Sequence, residues 1–411
     1  MKKRVLSILI CMLLSLALAG CGGEEASGGG AGKLTLALRA GTYADVIKSC
    51  LPAFEEQYGV KCEVLELAED DLHSKLALDA SNAKGAYDLC MIDGSWMAEF
   101  TQNRVLADLS KLGYALDDDL IPATLSICYR DGDLYLAPFF GNVTVLLYNR
   151  EMTASAGYGE DEIDSLDDIM AICSAAKESG KLGFLYRGDT ENNVVVDFMP
   201  IMLSFGAQFF DEQGNPSVDT PEFLEALTFY QELVATGSAQ KKEDLINSID
   251  RGEAAMAIGW PGWYIPDFQT RADYCAMSGK KSAGSAAYNA SVFGIWAIGI
   301  TANSRQPELA EKLLEYLMDP EVQKSTIDLG GVPCRYSSLR DPEVLEKYPH
   351  YSVVCDALER GVYRPIIAWW SDYYSILGTE MGSVLNGVKS AEDGLKAAQS
   401  QLEAVADSYN R

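Results

Sequence analysis

The chain has 411 residues, of which 48% are hydrophobic, and 60 acidic against 33 basic side chains leave a net charge of −27. That acidity argues against a nucleic-acid surface and against adhesion to anionic lipid through the protein face. The length suffices for two lobes with separate cores.

Lys2, Lys3 and Arg4 precede an apolar run, 5–19, that is short for a membrane span of ~20 residues and reads as a secretory signal over 1–20. Leu18-Ala19-Gly20-Cys21 resembles the bacterial lipobox, which implies lipidation at Cys21 once the signal is removed. From Gly22 to Gly32 no apolar side chain exceeds alanine, so 21–33 is expected to be a lipidated cysteine on a flexible tether. Several acyl chains on one residue meet the requirement of more than one chain for stable anchoring. The expected location is extracytoplasmic, lipid-anchored to the cell membrane, with a Gram-positive surface favoured over a periplasm.

From Lys33 onward strand-like and helix-like patterns alternate. Strands are predicted over 33–38, 61–67 and 87–92, with helices over 43–58 and 70–82 between them. This β-α-β-α-β order predicts an α/β fold with a parallel sheet, whose loops after the strands, 39–43 and 93–96, are the places for ligand contacts. A second set begins with a strand over 143–149. Ser165 to Asp168 has the capping-box arrangement, 182–187 is strand-like, and Thr220-Pro221 opens a long amphipathic helix. Apolar strands are predicted over 254–259 and 293–300, and the last third reads as helical, ending at 390–410.

Of the ten cysteines, Cys11 leaves with the signal and Cys21 is the lipid site. The other eight are scattered singly, and most read as small buried hydrophobes rather than a disulfide framework. His73 and His350 stand in no metal-like cluster and are expected on the solvated surface. GxSxG, GxxxxGKS/T and HExxH are absent. No metal, cofactor or catalytic residue is expected.

Five stretches carry a resemblance: VTVLLYNREM (143–152), FGAQFFDEQGNPSVDTPEFLEALTFYQELVATG (205–237), RGEAAMAIGWPGWY (251–264), SRQPELAEKLLEYLMDPEVQKSTIDLGGVPCRYSSLRDP (304–342) and RPIIAWWSDYYSILGTEMGSVLNGVKSAEDGLKAAQSQLE (364–403). Together, over 34–410 and in order, they resemble the extracellular solute-binding proteins of family 1, which include the maltose- and multiple-sugar-binding lipoproteins of ABC importers. The resemblance implies a two-lobed periplasmic-binding-protein-like fold of type II, with discontinuous lobes joined by a hinge. The N-terminal lobe is expected over 34–140 plus about 294–335, and the C-terminal lobe over about 141–293 plus 336–411. Crossings are expected near 139–144, near 290–294 and after 333–338. It further implies a monomer that binds a mono- or oligosaccharide without catalysis and delivers it to ABC permease subunits.

A sugar is held by carboxylates and amides on its hydroxyls and by aromatic rings on its C–H face. Trp260 and Trp263, with Tyr264, lie where a strand ends in a Pro-Gly turn, and Trp369, Trp370 and Tyr374 form a second aromatic cluster. By the resemblance these supply stacking rings, while Tyr43, Asp45, Asp93, Trp96, Asn142, Arg187, Asp189 and Asn192 are candidates for the remaining ligand contacts. Arg39 and Arg335 could pair with a carboxylated or phosphorylated ligand, although structural roles are expected for both. Rival readings are a binder of another solute such as a polyamine or peptide, a receptor feeding a sensor kinase, and a secreted glycoside hydrolase. The hydrolase needs a carboxylate pair that sixty acids do not single out.

Overall fold

The computed structural model describes residues 32–159, 162–263, 272–275 and 291–409; the signal, Cys21, most of the tether and Tyr264 lie outside the described residues. Two five-stranded sheets organise the chain. In the first, Lys33–Arg39 lies between Lys61–Leu67 and Leu89–Asp93, parallel to both, and Trp296–Ile300 then pairs antiparallel with Leu89–Asp93 on one side and Ala137–Phe140 on the other. The predicted helices form as Thr42–Tyr58 and Glu69–Asp79. Thr42–Tyr58 follows Gly41, whose φ of 85° a side chain would disfavour, and buries Val46, Ile47, Leu51 and Phe54.

In the second sheet Val145–Asn149 runs between Ala272–Cys275 and Ala254–Gly259, and Leu182–Tyr186 and Ser238–Ala239 complete the order. The helix signals act as read. Ser165 accepts from the Asp168 amide at 3.2 Å and donates to its carboxylate at 2.6 Å, opening Leu166–Glu178, and Thr220 caps Pro221–Val234. Strand alternation then divides this sheet between two apolar clusters. Leu147, Leu185 and Ala257 pack with Leu245 and Ile249 into the cluster that also fills the first lobe. Leu146, Phe184, Met256 and Ile258 face Phe198, Tyr230, Tyr373 and Leu377.

The chain passes between the sheets three times, and the crossings are bonded to one another. The Thr144 amide donates to Val292 O at 2.9 Å, and the Val292 amide donates back to the Thr144 hydroxyl at 2.8 Å. Gly294 N reaches Asn142 O at 2.9 Å, while Val292–Phe293 pairs parallel with Val362–Tyr363. The single strand predicted over 293–300 is thus divided at Gly294: Val292–Phe293 belongs to the hinge and Trp296–Ile300 to the first sheet.

The third crossing differs from expectation. Residues 336–358, expected in the second lobe, pack through Leu339, Val344, Tyr351, Val354 and Leu358 into the cluster that fills the first. The chain is held there because the Tyr336 amide bonds to Asp119 O at 3.0 Å and the Tyr351 hydroxyl to Gly331 O at 2.7 Å. It leaves for the second lobe only at 361–364, where a side chain on Gly361 would meet the Phe293 ring at 2.3 Å.

His350 is also not on the surface. It is 5% exposed and stacks on Tyr351, and burial pushes its imidazole down to about 3. His73 is half-buried, bonded to Glu99 at 2.8 Å. Cys50, Cys90, Cys128, Cys173, Cys334 and Cys355 are free and buried, Cys62 is free and half-buried, and the Cys275 side chain lies outside what is described. Among the described residues no helix is long and apolar enough to cross a membrane, and no group of three potential ligands gathers for a metal.

Candidate functional site

The two sheets aim the ends of their strands at a shared cleft. From the first come Arg39 and Asp93, the last residues of their strands, Trp296 at the start of the strand beside them, and Glu69 at the head of its helix. From the second come Arg187, just past Leu182–Tyr186, and Trp260, just past Ala254–Gly259. Lys242 opens the helix Lys242–Asp250, and Asn192 lies in the first turn of Glu191–Ser204. Carboxyl ends of strands facing a crevice are the usual ligand position in such sheets. The cleft contains two chambers that meet at Glu69.

The first chamber, about 250 Å³, is lined by Arg39, Tyr43, Glu69, Asp93, Asn142, Arg187, Asp189, Asn192, Lys242, Trp260, Trp263, Trp296 and Arg364 among others. Much of its polar lining is already engaged. Both oxygens of Asp93 accept from Arg364, at 2.5 and 2.7 Å, and one also takes the Ser95 amide at 2.9 Å. Arg187 is clamped on Asp197, which is 1% exposed, and donates to Asn193 Oδ1 at 2.7 Å. Burial raises the Asp197 carboxyl above its ordinary value, and Arg187 opposes that rise. The guanidinium of Arg187 lies 5.3 Å from the Trp263 ring centre and 6.0 Å from that of Trp260, within cation–π range. Asn142, 3% exposed, donates to the Tyr43 hydroxyl at 2.7 Å, and burial pushes that phenol up to about 12.

Three buried polar atoms of this lining have no hydrogen-bond partner among the described residues: Asn142 Oδ1, Asn192 Oδ1 and Arg39 Nε. A buried polar atom without a partner is destabilising by ~1–3 kcal/mol. Amide, carboxylate and guanidinium side chains beside indole rings in the same lining suit a ligand that brings hydroxyls and a C–H face.

The second chamber, about 260 Å³, lies between Glu69, Asp70, His73, Trp96 and Glu99 of the first lobe and Ile367, Trp370 and Tyr374 of the second. Trp96 meets His73 edge-on, and Trp370 is 3% exposed with its indole N–H unpaired. The candidate residues therefore divide by position. Tyr43, Asp93, Asn142, Arg187, Asp189, Asn192, Trp260 and Trp263 line the first chamber, and Trp96, Trp370 and Tyr374 the second.

Two candidates lie in neither chamber. Asp45 is exposed on the first turn of its helix and bonds Lys48 at 2.7 Å, where a helix-dipole role suffices. Trp369 packs on Phe210, Tyr373 and Tyr409 away from both chambers. Arg335 is fully buried among Asp117, Asp119, Gln323 Oε1 and Met318 O, a structural role as expected. Arg39, for which the same was expected, lines the first chamber instead. The residues that sequence reasoning missed are Glu69, Lys242, Trp296 and Arg364. Glu69 and Lys242 open helices, so each read as an ordinary charged first-turn residue.

Comparison with known proteins agrees with this architecture. The sequence profile of the bacterial extracellular solute-binding proteins matches residues 48–324. A probable amino-acid ABC transporter periplasmic-binding protein of Sinorhizobium fredii is 22% identical over 366 residues, covering 85% of this chain and 84% of that protein. The arabinooligosaccharide-binding protein of Bacillus subtilis is 23% identical over 369 residues, covering 84% and 83%. Among solved structures, maltose-bound MalE3 of T. maritima superposes with a TM-score of 0.81 at 22% identity, covering 91% of this chain and 100% of that one.

Proposed function

The chain belongs to the bacterial extracellular solute-binding protein family, and from that premise we propose that it binds a mono- or oligosaccharide in the inter-lobe cleft and delivers it to an ABC permease. The observation that carries the reading is the lining of the first chamber, where the polar side chains of Arg39, Asn142, Asp189 and Asn192 stand beside Trp260, Trp263 and Trp296. Sugar hydroxyls both donate and accept, so they can pair with amide, carboxylate and guanidinium groups of such a lining, and the indoles cover the sugar's apolar face. Named relatives that bind an arabinooligosaccharide or mannitol, and solved neighbours with ribitol or maltose bound, support the same chemistry. The protein acts as a monomeric binder without catalysis, and the lobes close over the ligand about the three bonded crossings.

Differential scanning fluorimetry of the purified protein against a carbohydrate panel tests this. A cognate sugar at 100 times its Kd stabilises by ~2.7 kcal/mol and is recovered unchanged after long incubation. No response to any sugar, with a clear response to a polyamine or peptide, would sink the carbohydrate reading; shorter products accumulating in proportion to protein would sink the non-catalytic one.

The lipid anchor rests on the lipobox-like Leu18-Ala19-Gly20-Cys21 and the glycine-rich tether. Anchored at the outer face of a membrane, the binder stays within reach of its permease at high effective concentration. Cys21→Ser is expected to shift the protein from the membrane fraction to the soluble one. A mutant that still sediments with membranes after a high-salt wash contradicts the anchor.

A further inference from the structure

Of the four cations that line the first chamber, two are committed. Arg364 is taken by both oxygens of Asp93, and Arg187 by Asp197. The other two are held less: Arg39 has one loose ion pair, to Glu69, and Lys242 has none among the described residues. The Arg39 side chain makes no hydrogen bond among the described residues: its Nε is buried and unpaired, it forms one loose ion pair with Glu69 at 3.6 Å, and its guanidinium lies 5.7 Å from the Trp296 ring centre. Lys242, which reaches in from the opposite lobe, has neither hydrogen bond nor ion pair among the described residues and stands 5.9 Å from the Trp263 ring centre.

The same lining carries Glu69, Asp93 and Asp189. Partial burial holds the Lys242 ammonium below the ordinary lysine value; Glu243 opposes this, and Arg39 and Arg187 add to it. Burial, with Asp93 adding to it, raises the Glu69 carboxyl against the pull of Arg39 and Arg364. Asp189 accepts from the Asn193 side-chain amide at 2.9 Å rather than from Arg39 or Lys242. The second chamber has the opposite polarity: Glu69, Asp70 and Glu99 line it, with no lysine or arginine among its lining residues. Lys242 without a partner among the described residues and Arg39 with a single loose ion pair line one chamber from the two lobes, and both keep donors for a further acceptor.

We propose that the solute is an acidic carbohydrate whose carboxylate sits in the first chamber between Arg39 and Lys242, with its neutral hydroxyl-bearing remainder directed toward the second chamber. A guanidinium and an ammonium from opposite lobes form charge-assisted hydrogen bonds to one carboxylate, so the anion also ties the lobes together. The acids of the second chamber repel it and fix a single orientation. With Arg364 and Arg187 already neutralised, a monoanion suits the site better than a phosphate dianion. This inference rests on the carbohydrate reading of the cleft and narrows it.

The test is calorimetric titration of the purified protein with matched pairs: D-galacturonate and D-galactose, D-glucuronate and D-glucose, D-gluconate and D-glucitol, the dimer of galacturonate and that of galactose, with glucose 6-phosphate as the phosphate arm. The expected result is that at least one acid binds and that its neutral counterpart binds at least tenfold more weakly. Lys242→Met is expected to weaken the acid at least tenfold, Lys242→Arg to restore most of that affinity, and binding to fall as salt rises. The proposal is overturned if a neutral sugar equals its acid, if the phosphate is preferred, if Lys242→Met binds the acid as the parent does, or if no acid binds. In that last case a neutral sugar that still binds leaves the carbohydrate function standing, whereas binding of a polyamine or peptide alone removes both.

Discussion

Asp93→Ala is expected to lower the unfolding free energy by about 3–5 kcal/mol, the range for removing one partner of a buried ion pair. Asp93 is 4% exposed and Arg364 7%. The carboxylate accepts twice from the guanidinium and once from the Ser95 amide, so its loss strands a buried charge and uncaps the turn Gly94–Trp96. Urea unfolding measures the loss, and the double variant Asp93→Ala/Arg364→Met should recover part of it, since the stranded charge is then gone. Asp93 ends a strand of the first sheet and Arg364 follows the third crossing, so the pair braces the hinge. A single variant that unfolds within 1 kcal/mol of the parent yet no longer binds sugar would make Asp93 a ligand contact instead of a brace.

Trp263→Ala carries the second large effect, and it falls on two observables. The ring is 8% exposed and belongs to the larger apolar cluster, and a side chain on Gly259 would meet it at 3.0 Å. Truncation is expected to destabilise the unliganded protein by about 3 kcal/mol, the low end for a core tryptophan. It should also weaken sugar binding by roughly 1–3 kcal/mol, because the ring lines the first chamber under Arg187 and Lys242. Trp260 is half-buried, its indole edge where a side chain on Gly294 would lie at 2.7 Å. For Trp260→Ala the affinity loss should appear with little change in unliganded stability. Paired urea melts and calorimetry separate the two. Trp263→Ala melting with the parent, or Trp260→Ala binding like it, would reverse these roles.

What the sequence made legible was periodic or local. Capping signals at Ser165 and Thr220 and the alternation at 33–38 translate directly into elements, because each depends on residues within a few positions. The loops after strands could be named for the same reason, and Tyr43, Asp93, Arg187 and Trp260 follow from them. Pairings across the chain left no such trace. Nothing near Asp93 indicates that its partner is Arg364, 271 positions away, so a carboxylate that looked free for hydroxyls is already occupied. The helices of 336–360 carry apolar faces that fit either lobe, and only the contacts with Asp119 and Gly331 decide between them. Two adjacent tryptophans, Trp369 and Trp370, straddle a helix start, which sends one to a chamber and the other away from it.

The place of Trp296–Ile300 between Leu89–Asp93 and Ala137–Phe140 governs the order in which this protein can be born. During synthesis the first sheet is missing an interior member until the ribosome has passed residue 300, long after its other four strands have emerged. Val145–Asn149 likewise waits for Ala272–Cys275 before both its edges are paired. Neither sheet can be completed early, since docking Trp296–Ile300 in one and Ala272–Cys275 in the other requires closing a loop of more than a hundred residues. A chain held open in this way acquires its native sheet order only once most of its length is available to pair.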